Sequence, residues 1–276
     1  MFFSILFMIS ILFGEQEYFA YDYGEFSQGS TVYLYGDKVN VRQSPSIDAN
    51  VVTTLTIGHP MEISGRSETM YTVNDYTTHW YNVRFDVEGK EMSGYVWGGL
   101  ISIVSFPIGA NGSEWFLLGV HEYDQEKGFI GQGRIMKNGK IVAQEDFPFI
   151  GGFESSKGTY SHSISGYLLD DAGFGNLENV ILIDFIYEAC GFANGTVVLF
   201  WTGEKLLYAI EGTSVSEAGL FHHYFNIYFP YVIEGSPNYL ILVEKSEEYI
   251  DDQYERVETV VRLYYWDGKK LNQVYE

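Results

Sequence analysis

Residues 180–207 read VILIDFIYEACGFANGTVVLFWTGEKLL, and this stretch decides the fold class. It parses as strand, acidic loop, strand, glycine turn and strand, with Val, Ile, Leu and Phe filling the strand positions. The same layout occurs twice more, in Trp115–Val142 (WFLLGVHEYDQEKGFIGQGRIMKNGKIV) and Tyr239–Leu271 (YLILVEKSEEYIDDQYERVETVVRLYYWDGKKL). The turn glycines Gly139, Gly203 and Gly268 are 64 and 65 residues apart, in the turns KNGK, WTGEK and WDGKK. Such turns suit hairpins, and near-equal spacing argues for repeated β units. The expectation for 104–276 is therefore a larger β domain with three weak repeats, either a partial propeller-like stack or an irregular sandwich.

Composition agrees with an all-β chain. Aromatic residues make up 17% of the 276, with 23 Tyr and 20 Phe, and these favour half-buried pleated surfaces. Thirty Gly against six Pro fits many tight turns between short strands. The net charge is −21, from 37 acidic and 16 basic residues. A surface of that sign repels phosphate backbones and anionic lipid, so nucleic acid is excluded as an expected partner. Cationic peptides, metal cations and neutral glycans stay open, and the charge also serves solubility. The lone cysteine, Cys190, rules out an intrachain disulfide and a cysteine zinc site.

Upstream of residue 104 the strand signals shorten. Thr31–Tyr35, Lys38–Arg42, Asn50–Leu55, Trp80–Phe85 and Ser93–Trp97 read as strands, with a turn at Glu88-Gly89 and a polar insertion at Ser67–His79. These are enough for a small barrel over 31–103, joined to what precedes it by a linker at 21–30. Val39, Val41, Val52 and Val96 are its expected filling, with Asn40 and Arg42 facing outward or bonding the turn at Ser44-Pro45.

The order of these residues resembles the bacterial SH3-like (SH3b) domain. VNVRQSP at 39–45 is followed by Val51, Val52, Leu55 and Gly58, then Trp80 and Val83, then Gly94-Tyr95-Val96 and Leu100. The Ser67–His79 insertion departs from the family pattern. The resemblance implies a small barrel that binds peptides or cell-wall fragments without catalysis. Asp170–Asp184, DDAGFGNLENVILID, has a weak resemblance to the acidic loop and strand of FG-GAP propeller repeats.

Phe2–Phe13, FFSILFMISILF, is too short to span a bilayer, which takes about 20 apolar residues. It fits the apolar region of a secretory signal peptide, assigned here to 1–20, with small residues at Gly14 and Ala20 as cleavage candidates. An exported protein, periplasmic or extracellular, is the expectation. No later segment is long and apolar enough to cross a membrane, so no stable span is expected once the leader is removed.

No HExxH, GxSxG or phosphate-cradling glycine loop occurs. Cys190 lies in an acidic setting that disfavours a nucleophilic thiolate. His222 and His223 are adjacent, so on a strand they point to opposite faces. The acidic loops carry Glu122, Asp124 and Glu126, then Glu188, then Glu247, Glu248, Asp251 and Asp252, and solvation is their expected state. Asp170, Asp171 and Glu178 lack the regular spacing of a calcium loop. No metal, cofactor or catalytic residue is expected. The expected ligand-binding residues are the aromatics Tyr33, Tyr35, Trp80, Tyr81, Tyr95 and Trp97, some of which must also serve as core. These readings point to a non-catalytic binding or scaffold protein of the cell envelope. The alternatives are an acidic inhibitor of a cationic protein, or a wall hydrolase with an unfamiliar site.

Overall fold

The computed structural model describes residues 16–22, 25–109, 112–124, 128–150, 162–187, 190–232, 237–250 and 253–275. The apolar run Phe2–Phe13 lies outside them. The described chain is built of strands, with single 3₁₀ turns at Gly98–Leu100 and Pro230–Val232. In order they are β1 (Gln16–Asp22), β2 (Thr31–Tyr33), β3 (Val39–Arg42), β4 (Val51–Leu55), β5 (Pro60–Val73), β6 (Tyr76–Val87) and β7 (Lys90–Trp97). Then come β8 (Val104–Ile108), β9 (Glu114–Asp124), β10 (Gly128–Lys137), β11 (Lys140–Pro148), β12 (His162–Leu169) and β13 (Asn179–Tyr187). The last are β14 (Asn194–Trp201), β15 (Leu206–Glu217), β16 (Phe221–Tyr228), β17 (Tyr239–Ile250), β18 (Gln253–Trp266) and β19 (Leu271–Tyr275).

Turn chemistry sets the hairpins. Asn74-Asp75, Glu88-Gly89 and Asn138-Gly139 all have positive φ at both residues, the conformation of a tight hairpin turn that matches strand twist. The polar stretch Ser67–His79 is thus no loop. Its Thr- and Tyr-rich halves extend β5 and β6 into a long arm, with Val73 paired to Tyr76 at the tip.

The strands form three sheets. The N-terminal module is a six-stranded sheet in the order β2-β5-β6-β7-β3-β4. A four-stranded sheet follows, β11-β10-β9-β8, and then a nine-stranded meander from β12 to β19 with β1 added at its β12 edge. β15 folds this meander over. It pairs with β14 through Ser214 but with β16 only over Val215–Glu217. The three segments with the shared layout are β9–β11, β13–β15 and β17–β19, the first in the four-stranded sheet and the other two in the meander.

Side-chain direction stacks the sheets. Phe116 and Leu118 of β9 share one core with Ile181, Ile183, Phe185, Val197, Leu199 and Trp201. The alternate residues Val180, Val198 and Phe200 pack the other way, with Leu240, Leu242, Phe229 and Trp266. Leu117 points away from its neighbours onto Tyr35 and Ile57 of the N-terminal module. The order is therefore module, β8–β11, β12–β15, β16–β19, an irregular face-to-face sandwich. Val180–Ile183 of β13 and Val197–Trp201 of β14 are unbroken apolar runs because both faces are covered there.

Leu199 and Phe200 are neighbours that point into different cores, and both are fully buried. Leu199→Ala and Phe200→Ala should each lower stability by about 2–5 kcal/mol in urea unfolding. A sheet covered on one face would spare one of them.

Candidate functional site

Period-two alternation divides the N-terminal module into two faces. Val39, Val41, Leu55, Met61, Ile63, Tyr81, Val83, Phe85 and Val96 are buried in its own core. The opposite phase carries Asn40 and Arg42 on β3, Trp80, Asn82 and Arg84 on β6, and Ser93, Tyr95 and Trp97 on β7. Cross-strand register places Trp80 beside Trp97, Asn82 beside Tyr95, and Tyr95 beside Arg42.

The tryptophan end of that outward face is closed. Trp80 and Trp97 are buried beneath Tyr71 and Tyr76 of the arm, and the Trp97 indole N–H donates to the Tyr71 carbonyl at 2.9 Å. Tyr76 carries the contact onward, edge to face with Phe129 of β10 at 5.7 Å. Both tryptophans belong to the core shared with the sandwich.

The two N-terminal tyrosines also lie at the junction. The Tyr35 ring is buried, with the Arg134 guanidinium 4.0 Å above it. Arg134 Nη1 donates to the Tyr35 carbonyl at 2.8 Å, and Arg134 Nε and the Tyr35 hydroxyl both donate to Gln132 Oε1. Gln132 Nε2 donates to Asp146 at 2.7 Å, which extends the network to β11. A side chain at Gly119 would meet the Tyr35 ring, so this approach needs glycine. Tyr33, half-buried, packs on Trp115 at 4.5 Å between ring centroids. Tyr81 lies in the module's own core against Phe26, whose backbone N–H donates to its hydroxyl at 3.4 Å. Burial pushes the Tyr81 hydroxyl up to about 12, and raises that of Tyr35 further.

The six aromatics therefore do not line one groove. Trp80 and Trp97 share one cluster, Tyr33 and Tyr35 a second, and Tyr81 a third. Tyr95, half-buried on the outward face, packs against the tryptophan cluster and lies beside Asn82, Arg42 and the exposed Val51. Arg42 also holds the following turn, with Nη1 donating to the Ala49 carbonyl at 2.8 Å, and that turn presents Ile47, which is 46% exposed. Arg84 and Glu62 form an ion pair further along the same face. This surface offers a ring for stacking, an amide that both donates and accepts, and two guanidinium groups. Asn82 and Arg84 carry no aromatic signal in the sequence. The phase opposite Val41, Val83 and Val96 was the signal that carried them.

The other candidates are dispersed. Cys190 is exposed in the β13–β14 connection. His222 is exposed and His223 half-buried on the opposite face of β16, where its Nδ1 lies 2.9 Å from the Ser246 hydroxyl. Asp171 accepts the backbone N–H groups of Gly173 and Gly175 and so organises its own loop. Glu126, Glu188, Asp251 and Asp252 lie outside the described residues. Among the described residues no three His, Cys, Asp or Glu side chains gather in a metal-binding group.

Residues 37–102 match the bacterial SH3 domain family. Comparison with curated proteins and with solved structures gave no match. A bacterial SH3 domain is a module of the kind that binds cell-wall components or peptides. No helix among the described residues is long and apolar enough to cross a membrane.

Burial of Tyr81 has a pH consequence. Its folded-state pKa lies above the unfolded value of 10.0, so its contribution to stability is complete below pH 10 and is lost as pH rises towards about 12. Urea unfolding should show stability falling across that window, and Tyr81→Phe should make the decline shallower.

Proposed function

We propose that the protein is an exported, non-catalytic binding protein of the cell envelope, and that the face around Tyr95, Asn82 and Arg42 takes a peptide or wall fragment. The observation that carries this reading is the position of the SH3 match. The matched residues supply both the docked tryptophan end and the open Tyr95 end of one sheet face. The docked end fixes the module on the sandwich, so the open end is presented on a rigid base, which lowers the ordering cost of binding. Ring stacking, an Asn amide and guanidinium groups suit a chain with alternating carbonyls, carboxylates and hydroxyls.

Export rests on the apolar run Phe2–Phe13. β1 begins at Gln16 and pairs with β12 from Gln16↔Leu168 to Asp22↔Ser163. Processing after Gly14 leaves this strand whole, whereas processing after Ala20 removes most of it. Mass spectrometry of the exported protein should therefore find an N-terminus at or before Gln16. An unprocessed, cell-retained chain contradicts export.

A second reading, neutralisation of a cationic protein, is favoured by the net charge of −21. The two differ in salt dependence, since contacts between exposed charges are screened at high ionic strength. In co-sedimentation with purified wall sacculi, Tyr95→Ala and Asn82→Ala should each weaken retention about tenfold, equivalent to ~1.4 kcal/mol, with circular dichroism unchanged. Retention that survives both substitutions but vanishes in 0.5 M salt would favour the charge-driven reading. Clearing of the sacculi by the purified chain would show hydrolysis and remove the non-catalytic assignment.

A further inference from the structure

Where β15 leaves β14 to join β16, its first half diverges from the outer layer and a wedge opens between them. The resulting cleft, of about 330 Å³, is lined by Tyr208, Glu211 and Thr213 of β15, Glu244 of β17, and Arg262 and Tyr264 of β18. None of these residues belongs to the SH3 domain.

The charges in the cleft do not cancel. Arg262 Nη1 donates to Glu244 Oε2, which occupies the only cation lining the cleft. Glu211 receives a hydrogen bond from the Tyr208 hydroxyl, but its Oε2 is buried and has no hydrogen-bond partner. Burial and the Glu211 carboxylate raise the Tyr208 pKa, so the phenol stays neutral. Outside the lining, Glu145 Oε1 of β11 accepts the Tyr208 backbone N–H at 3.2 Å and so holds that residue in place.

A buried carboxylate oxygen without a donor is costly unless a ligand supplies one. An anion is disfavoured by the carboxylates, and a neutral ligand leaves the charge uncompensated. A bare divalent cation requires six or more oxygen ligands, or several ordered waters. Two tyrosine rings beside the orphan oxygen instead suit an organic cation, whose charge meets the ring faces while its carbon chain covers apolar surface. An ammonium has three donors, which the Glu211 oxygen and the Thr213 hydroxyl can share with water. We propose that this cleft is a second binding site, built for an aliphatic primary ammonium such as a lysine-type side chain.

The test is titration of the full chain with Nα-acetyl-lysine methylamide, followed by amide NMR shifts. The Nε-acetylated analogue, of similar shape and no charge, is the control. Shifts should concentrate at Tyr208–Thr213 and Arg262–Tyr264 with the charged probe and be absent with the acetylated one. Glu211→Gln should weaken binding about tenfold or more, the loss expected for one charge-assisted contact. Glu204→Gln, on the exposed β14–β15 turn, should leave binding unchanged and so exclude attraction to net charge alone. Tyr208→Leu keeps the carboxylate and removes the ring, and it should also weaken binding, which covers the case in which Glu211→Gln alters the fold. Equal shifts from the acetylated probe, no shifts at 50 mM probe, or full binding by both cleft variants overturns the proposal. Tyr95→Ala should not affect this titration, so the result stands apart from the fate of the SH3 face.

Discussion

The architecture depends on one constraint: the stretches Val180–Ile183 of β13 and Val197–Trp201 of β14 are covered on both faces. Ile181, Ile183, Val197 and Leu199 face the four-stranded sheet while Val180, Val198 and Phe200 face the outer layer. Burying such side chains is worth about 1.5–3 kcal/mol each, against about 0–1 kcal/mol for an exposed ion pair. Ion pairs such as Arg66–Glu25 and Arg84–Glu62 are exposed and lie at the surface of the SH3 domain. A chain of net charge −21 repels itself, so its stability must come from the apolar layers. Covering a sheet on both faces requires a layer on each side, and the glycine-turned hairpins supply both.

The same demand for cover determines what the SH3 domain has left to offer. Its tryptophans are roofed by the β5–β6 arm, whose Tyr76 rests on Phe129 of the sandwich. Tyr35 is clamped by Arg134 in a network that reaches Asp146. Burying a guanidinium pair alone gains little, but a stacked ring, two carbonyl-type acceptors and a carboxylate in sequence satisfy the donors that burial would strand. The module is thus fixed in orientation, and recognition is confined to the end of the face that holds Tyr95.

Much of this was legible in the residues. The turn at Asn138-Gly139 and the VNVR strand before Ser44-Pro45 are local signals, and local signals survive without knowledge of partners. The SH3 resemblance followed from motif order for the same reason. The burial of Trp80 and Trp97 was not legible, because it requires the polar stretch to fold as an arm that lays Tyr71 and Tyr76 over them, with Phe129 from far along the chain behind Tyr76. The arm was read as polar, although Asn74-Asp75 between Thr- and Tyr-rich flanks is hairpin chemistry. β1 was also hidden, since its partner β12 lies about 150 residues away and Gln16–Asp22 follows directly on an apolar run that reads as a leader.

The layer order was hidden for a different reason. An apolar run such as VILIDFIY states that both faces are covered but not by what, so a stack of blades and a sandwich are equally compatible with it. β15 decides between them. Its pairing with β14 over Leu206–Ser214 and its three-residue pairing with β16 fold one meander back on itself, which brings β17 and β18 over the central layer. Before the changeover at Ser214 and Val215, β15 is paired with β14 alone, so its other edge faces the next layer across open space. Glu211 lies on that stretch, opposite Val197 of β14. The cleft is therefore a consequence of the fold-over, in a place where polar side chains can be partly desolvated without disrupting either core.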